Sequence, residues 1–282
     1  MEVFRKWGKP AIVVLAFFLI AYLMPAEPID PWQIFSLKKA AYMVFALAFI
    51  EALGAAAIRL LGNRKGAILT GFFGGLVSST ATTVDLARDS VDAPAEDLGK
   101  QTLTFLSATL AMLAEGVVLL LIGTTDIHPQ LLLILTGPIL AVGVMIVVLT
   151  MRIPHRKVAN REVQLEILPI IKLAAFIVAI LAISKLLQHF LGQSGLLALT
   201  FLISLFEIHG SVIANIQMHD AGAFSVEFLG GLITLSVVAS LISKLFLLWT
   251  IGTPKLRQAA MRYTIALFAV LIVSWLIFLT VI

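Results

Sequence analysis

Two uninterrupted apolar stretches constrain this chain more than any other feature of its sequence. Residues 131–151 and 263–282 contain no Asp, Glu, Lys or Arg, and each is about the 20 residues that an α-helix needs to cross the hydrocarbon core of a bilayer. Lipid offers the backbone no hydrogen-bond partner, so such spans are helical. Of the 282 residues, 60% are hydrophobic and 13% are charged, against about 25% charged in soluble domains. The sequence therefore predicts an all-α polytopic membrane protein.

Composition also excludes several classes of site. The chain has no cysteine, which rules out disulfides, thiol catalysis and zinc–thiolate sites. The net charge of +4 comes from Lys and Arg placed mostly at the ends of apolar segments, where they act as topology signals, so no nucleic-acid partner is predicted. No His-Glu-x-x-His motif and no nucleophile beside a base occurs. We expect no enzyme activity and no cofactor.

Nine apolar segments can be marked along the chain, with short polar connectors between them. The first follows three basic residues, as a signal peptide would, but the polar exit at residues 25–28 is a poor cleavage site, so we interpret it as a helix. The segments run about 10–24, 37–61, 66–87, 101–122, 131–151, 167–190, 195–217, 226–250 and 261–281.

The two halves of the chain have a similar order and spacing of segments. A shift of 129 positions aligns Gly66 with Gly195, Ser78 with Glu207, Leu103 with Leu232, and Glu115 with Lys244. Repeats of this kind are common in transporters. We predict one membrane domain divided into an N-terminal helix and loop (1–34), repeat 1 (35–151), a basic connecting loop (152–164) and repeat 2 (165–282).

Basic residues near the segment ends distinguish two topologies. If all nine segments span, nine Lys and Arg lie on one side and eight on the other. If segments 66–87 and 195–217 re-enter on the side they left, fifteen lie on one side and only Lys38 and Lys39 on the other, as expected for the cytoplasmic face of an inner membrane. We favour this arrangement, which has three spans per repeat and therefore inverts the second repeat. Nine full spans, or insertion in both orientations, is the alternative.

Residues 71–83 form the most unusual stretch, with three glycines followed by five hydroxyl residues within six positions. Each glycine costs a helix roughly 1 kcal/mol relative to alanine, and Ser and Thr compete for backbone hydrogen bonds. Together they predict a broken or re-entrant segment whose free backbone groups bind an ion. The alternative is close helix packing through small residues. The predicted ligands are Ser78, Ser79, Thr80, Thr82 and Thr83.

The stretch that aligns with this motif reads Glu207-Ile208-His209-Gly210-Ser211. Ionisable groups at membrane depth are costly and are functional candidates by default. We predict that Glu207, His209 and Ser211 share a site near the bilayer midplane with the first motif, binding a cation or relaying a proton, because imidazole changes charge near neutral pH. The metal is unknown, since one Glu and one His are too few to name one. The alternative is a pair satisfied by helix–helix hydrogen bonds.

Three further charges lie inside apolar segments, namely Glu51, Glu115 and Lys244. An unpaired charge at this depth costs a few kcal/mol. Because Glu115 and Lys244 occupy equivalent positions, we predict an ion pair between them, with Glu51 as the other candidate partner of Lys244.

Residues 60–62 and 74–88, with the earlier Leu23-Met24-Pro25, resemble the uncharacterised C-terminal membrane domain of MgtC/SapB-type prokaryotic proteins. The resemblance covers about residues 20–282. The MgtC name suggests magnesium, but the MgtC domain that normally lies N-terminal to this one is not recognisable here. The second motif of that family is usually rich in Asp, whereas this chain has Glu207 and His209.

Two functions compete on these grounds. The first is a secondary transporter or channel for a small inorganic ion or small polar solute, and the second is a regulatory or scaffolding membrane protein of the MgtC/SapB type. A transporter predicts a polar cavity that reaches both motifs, whereas a scaffold predicts dry packing. The oligomeric state is left open, with a homo-oligomer as one alternative.

Overall fold

A computed structural model describes residues 15–16, 18–25, 36–61, 66–124, 128–152, 179, 183 and 192–282. The described residues form helices and contain no strand. The connecting loop 152–164 and the segment 167–190 lie outside the described residues, apart from 152, 179 and 183. Residues 15–16 and 18–23, in the first predicted segment, are helical. The helices that follow are α1 (Leu37–Leu61), α2 (Ala67–Asp92), α3 (Leu98–Gly123), α4 (Pro129–Thr150), α5 (Gly192–Ser204), α6 (Ile208–Asp220), α7 (Val226–Ile251) and α8 (Pro254–Val281).

Six of these helices, α1 to α4, α7 and α8, are long and apolar enough to cross a membrane. Several of them have apolar outward faces as well as apolar inward faces. On α4, for example, Leu140 and Val144 are more than 60% exposed. A helix that is hydrophobic all round belongs in lipid or in the core of a large protein. The predicted class, an all-α multi-pass membrane protein, is confirmed.

Several helix ends follow from local sequence. Pro129 and Pro254 occupy the first turns of α4 and α8, where the missing N–H of proline costs no hydrogen bond. Ser225 begins α7 by accepting a hydrogen bond from the Phe228 N–H at 3.5 Å. Gly222 turns the chain between α6 and α7 with φ of 75°, a conformation that glycine adopts without strain. These features set the order and lengths of the helices.

The centre of the bundle is α3, which packs against α1, α2, α4, α6 and α8. Its inward residues Phe105, Leu106 and Leu119 are fully buried. The same helix carries Met112 and Glu115 into the interior. α3 therefore positions the polar groups around which the candidate site is built.

α2 is not a regular helix, because Ser78 has extended backbone angles (φ −169°, ψ 108°). A Cβ added at Gly74 would lie only 2.9 Å from the Thr82 hydroxyl, although residues eight apart in a straight helix are separated by about 12 Å. The two halves of α2 therefore bend sharply towards each other at Ser78. The break predicted from residues 71–83 is present in the structure.

The half of α2 that precedes Ser78 lies directly on the backbone of α3. A Cβ at Gly71 would lie 2.8 Å from the Cα of Thr104, and one at Gly75 would lie 2.7 Å from the Cα of Ala108. Both distances are too short for a side chain, so glycine permits the contact. Residue numbers rise together along the contact, which means that this half runs in the same direction as α3.

Candidate functional site

The second helix break lies between α5 and α6, at Glu207. This residue has extended backbone angles (φ −147°, ψ 102°), and its Oε1 accepts a hydrogen bond from the His209 N–H at 3.0 Å. Glu207 is thus the N-cap of α6, a place where a carboxylate is stabilised by the free N–H groups and by the helix dipole.

The two breaks have the same local geometry at positions 129 residues apart. Ser78, like Glu207, is extended, and its Oγ accepts a hydrogen bond from the Ala81 N–H at 3.2 Å. Each break residue therefore caps the helical stretch that follows it. One cap is a neutral hydroxyl and the other is a carboxylate.

His209 joins Glu207 to Glu115 of α3. The Nδ1 atom of His209 is 3.0 Å from Glu207 Oε1, and its Nε2 atom is 3.2 Å from Glu115 Oε2. The Glu115 side chain is only 2% exposed, while the His209 and Glu207 side chains are 15% and 33% exposed. The three groups form a carboxylate–imidazole–carboxylate chain, here called the Glu–His–Glu triad.

The triad is arranged to hold a proton, through a hydrogen bond between His209 and Glu207 and a close ion-pair contact between His209 and Glu115. A neutral imidazole donates from one ring nitrogen only, yet both nitrogens of His209 face carboxylate oxygens. Repulsion between a bare ring nitrogen and a carboxylate oxygen is avoided only when the imidazole carries two protons or when one carboxyl group is protonated. The arrangement can therefore take up and release a proton among three neighbouring groups.

Lys244 of α7 is buried nearby, with 1% of its surface exposed. Its ammonium donates to Ser240 Oγ at 2.8 Å and to Met112 Sδ at 3.0 Å. Among the described residues no carboxylate contacts it, so the predicted ion pair between Glu115 and Lys244 is wrong. The reason is the rotation of α3, which turns Met112 towards α7 and Glu115 towards His209.

Two longer-range interactions complete the charge environment. Glu51 of α1 is half-buried and lies within electrostatic range of all three triad groups. Lys244 lies within range of Glu207 and Glu115. Glu51 and Lys244 thus each interact with the carboxyl groups of the triad, and the five ionisable side chains form one cluster inside the bundle.

A small cavity of about 10 Å³ lies beside the triad, lined by His209 together with apolar side chains that include Met112, Leu113 and Val237. This is about the smallest space that holds one water molecule. The triad is therefore nearly dry on this side. In the described part of the chain, no group of three or more His, Asp or Glu is arranged to hold a metal ion.

The hydroxyl residues of the first motif lie elsewhere in the hydrogen-bond network. Thr83 donates to the Ser79 carbonyl at 2.8 Å, and both side chains are buried, while Thr80 and Thr82 are half-buried. None of the hydrogen bonds of residues 78–83 reaches the triad, nor do they reach Ser211, whose buried hydroxyl has no hydrogen-bond partner among the described residues. The structure therefore brings Glu207 and His209 to Glu115, and it joins neither to the first motif by a hydrogen bond.

α1 lies next to both motifs. A Cβ at Gly54 would lie 2.9 Å from the Phe73 carbonyl and 3.0 Å from Leu76 Cβ, at the turn of α2. Glu51, one helical turn earlier, is the residue that interacts with the triad. The two breaks therefore approach the same part of α1.

Several polar contacts of the interior were not predicted from the sequence. Thr200 of α5 donates to Asn215 of α6 at 3.2 Å, and Lys39 forms an ion pair with Asp220. Asn215 and Gln217 are both buried. An Asn or Gln within an apolar segment indicates a buried polar contact, but it does not indicate which residue is the partner.

Residues 45–252 match the family described as "Domain of unknown function (DUF4010)". The chain belongs to this family. No curated protein and no solved structure matches the chain. The matched DUF4010 residues include both breaks and all five ionisable side chains, but the description carries no activity. The resemblance to MgtC/SapB-type proteins is not tested by this match and stays a prediction.

Proposed function

We propose that this protein is a secondary transporter or channel for a small inorganic ion or small polar solute, and that the Glu–His–Glu triad is its site. The observation that carries this proposal is the position of Glu115, His209 and Glu207, where both ring nitrogens of His209 lie within 3.2 Å of a carboxylate oxygen at a helix break inside an apolar bundle. Ionisable groups at membrane depth are destabilising, and they mark ion pathways and proton relays.

Two four-segment repeats support a transporter. A shift of 129 moves the start and end of α3 to residues 227 and 252, each within one residue of the start and end of α7. The same shift moves the break at Ser78 onto the second break at Glu207. These matches support the division into residues 35–151 and 165–282. Transporters commonly place their sites at broken helices between such repeats.

Contacts at the ends of the helices support an inverted relation between the repeats. Near the start of α3, Ser90 accepts a hydrogen bond from the Thr253 N–H at the end of α7. Near the end of α3, His128 packs against His219, which precedes the start of α7, with ring centroids 5.8 Å apart. α3 and α7 therefore run in opposite directions, as equivalent helices of inverted repeats do.

The bend at Ser78 supports a re-entrant α2. Its first half is parallel to α3, whereas its second half leads through a short connection to the start of α3. The chain would then return to the side from which it entered. This topology agrees with the fifteen-to-two distribution of basic residues and with insertion in an inner membrane.

A regulatory or scaffolding role is the second candidate, and one observation favours it. Ser79 and Thr83 bond within their own helix, and the cavity at His209 is small and mainly apolar, as dry packing predicts. Packing alone, however, does not require two carboxyl groups on one buried imidazole. We therefore place transport first.

Reconstitution into liposomes tests the choice between these functions. Purified wild-type protein should release or take up a trapped ion or solute, and Glu115→Gln should reduce the rate by about tenfold or more, because loss of one partner of a buried charge pair costs at least the free energy that corresponds to that factor. Glu227→Gln, at an exposed position in the first turn of α7, is the matched control. Equal rates in wild type, Glu115→Gln and empty liposomes would exclude transport through the triad.

A further inference from the structure

The formal charges at the site indicate which ions it favours. When all of them are ionised, Glu51, Glu115 and Glu207 contribute three negative charges, whereas His209 and Lys244 contribute at most two positive charges. The five groups sum to −1 when His209 is protonated and to −2 when it is neutral. A cluster with a net negative charge in a medium of low dielectric constant attracts cations and repels anions.

The backbone at the break between α5 and α6 also favours a cation over an anion. The N-terminus of a helix is an anion site because its first N–H groups are free. At α6, however, the carboxylate of Glu207 already occupies this position as the N-cap. On the other side of the break α5 ends, and the C-terminal carbonyls of a helix carry partial negative charge. A diffusing anion would therefore compete with a tethered carboxylate.

The ligand set further limits the class of cation. Mg²⁺ and Ca²⁺ require six or more oxygen ligands, and in the part of the chain that is described no group of three or more acidic or histidine residues could hold a metal ion. Two carboxylates flanking an imidazole suit a proton, or one weakly held monovalent ion in its place. The neighbouring cavity has about the size of a single water molecule.

We infer that the site carries a monovalent inorganic cation across the membrane in exchange for one proton of the Glu–His–Glu triad, an inference that rests on the proposed transport function. The proton leaves His209 or its carboxyl partner for water, and the cation takes its place between the oxygens of Glu115 and Glu207. Replacement of one proton by one monovalent cation leaves the net charge of the five groups unchanged, whatever the charge of Glu51 and Lys244. The exchange is therefore one for one and electroneutral.

Lys244 is the constant positive charge in this balance. Because it contacts Ser240 and Met112 rather than a carboxylate, it lowers the attraction for a cation without blocking the triad. Lys244→Met should therefore decrease several-fold the cation concentration that gives half-maximal exchange, and it should leave the exchange ratio at one. Lys255→Gln, at an exposed position on α8, is the matched control.

The experiment uses wild-type protein in liposomes that contain a pH-sensitive dye. Addition of NaCl, KCl or LiCl outside should drive protons out, at a rate that does not change when a membrane potential is imposed. Glu115→Gln and His209→Gln should each lower this rate by about tenfold or more, while Glu227→Gln should not. A cation-dependent rise in the melting temperature of the detergent-solubilised wild type, lost in Glu115→Gln, provides a second readout that does not need transport.

The outcomes separate this inference from the proposed function. Proton release that follows chloride rather than the cation, or that changes with membrane potential, overturns one-for-one cation exchange and leaves a transporter in place. Flux of a neutral solute, with no effect of the cation on proton release or on the melting temperature, also overturns cation exchange and leaves a transporter in place. Absence of any flux, together with absence of any cation effect on melting, overturns both.

Discussion

The contact between Glu115 and His209 offers the most direct test of the site by stability. Glu115→Gln keeps the shape of the side chain and removes its charge, 3.2 Å from an imidazole and at 2% exposure. Breaking a buried charge pair costs about 3–5 kcal/mol when the remaining charge has no other partner. His209 retains Glu207 at 3.0 Å, so we expect a smaller cost of about 1.5–3 kcal/mol.

The assay is thermal unfolding of the detergent-solubilised protein for wild type, Glu115→Gln, His209→Gln and the double variant. At roughly 2–4 °C per kcal/mol, Glu115→Gln should lower the melting temperature by about 3–12 °C. The loss of stability in the double variant should be smaller than the sum of the two single losses, by about 1 kcal/mol or more, because the effects of substituting residues in contact are not additive.

A second cycle, on Glu115→Gln and Lys244→Met, is the control. Lys244 contacts Ser240 and Met112 instead of Glu115, so its coupling to Glu115 should be smaller than that of His209. Additivity of Glu115→Gln and His209→Gln to within about 0.5 kcal/mol would refute the contact. A larger coupling for Lys244 than for His209 would restore the ion pair that the structure lacks.

Four further predictions address topology, packing, pH dependence and the role of the first motif. Single cysteines placed in the loops 62–66 and 90–98 of this cysteine-free chain should both resist labelling from outside intact cells, and labelling of one loop alone would contradict a re-entrant α2. Gly75→Ala should destabilise the protein by about 1–3 kcal/mol in thermal melts, since the new Cβ would lie 2.7 Å from the Ala108 backbone, whereas Gly231→Ala, with no neighbouring atom within 4 Å, should be neutral or slightly stabilising. His209→Ala should flatten the pH dependence of transport or ligand binding, because the triad then has no group between its carboxylates that takes up the proton, and an unchanged pH profile would exclude His209 as the proton carrier. Thr80→Val should weaken transport without unfolding only if the first motif shares the site, and a wild-type rate in Thr80→Val would separate the two motifs.

The helices and their breaks could be predicted from sequence because they depend on local chemistry. Uncharged apolar runs predict spans, and the glycine and hydroxyl residues before Thr83 predict an interrupted helix. The shift of 129 that aligns Ser78 with Glu207 was read from a few identities, and the structure has a capped, extended residue at both positions. These inferences required no knowledge of which helices are neighbours.

The partners of the buried charges could not be predicted in the same way. Glu115 and Lys244 were matched by their equivalent positions, but contact depends on how each helix is rotated about its axis. Met112, three residues before Glu115, is the residue that meets Lys244, and a thioether carries no signal for that role. The link from His209 to Glu115 joins residues 94 positions apart, which one sequence does not reveal.

The backbone contact between α2 and α3 restricts how this bundle can change shape. At Gly71 and Gly75 no layer of side chains separates the two helices, so neither can slide or rotate against the other without a backbone collision. The half of α2 that precedes Ser78 and α3 therefore move as one rigid unit. Any change of shape has to occur elsewhere, such as at the Gly222 turn between α6 and α7. A crosslink between α3 and the half of α2 that precedes Ser78 should therefore leave the proposed transport intact, and one that ties α6 to α7 should arrest it.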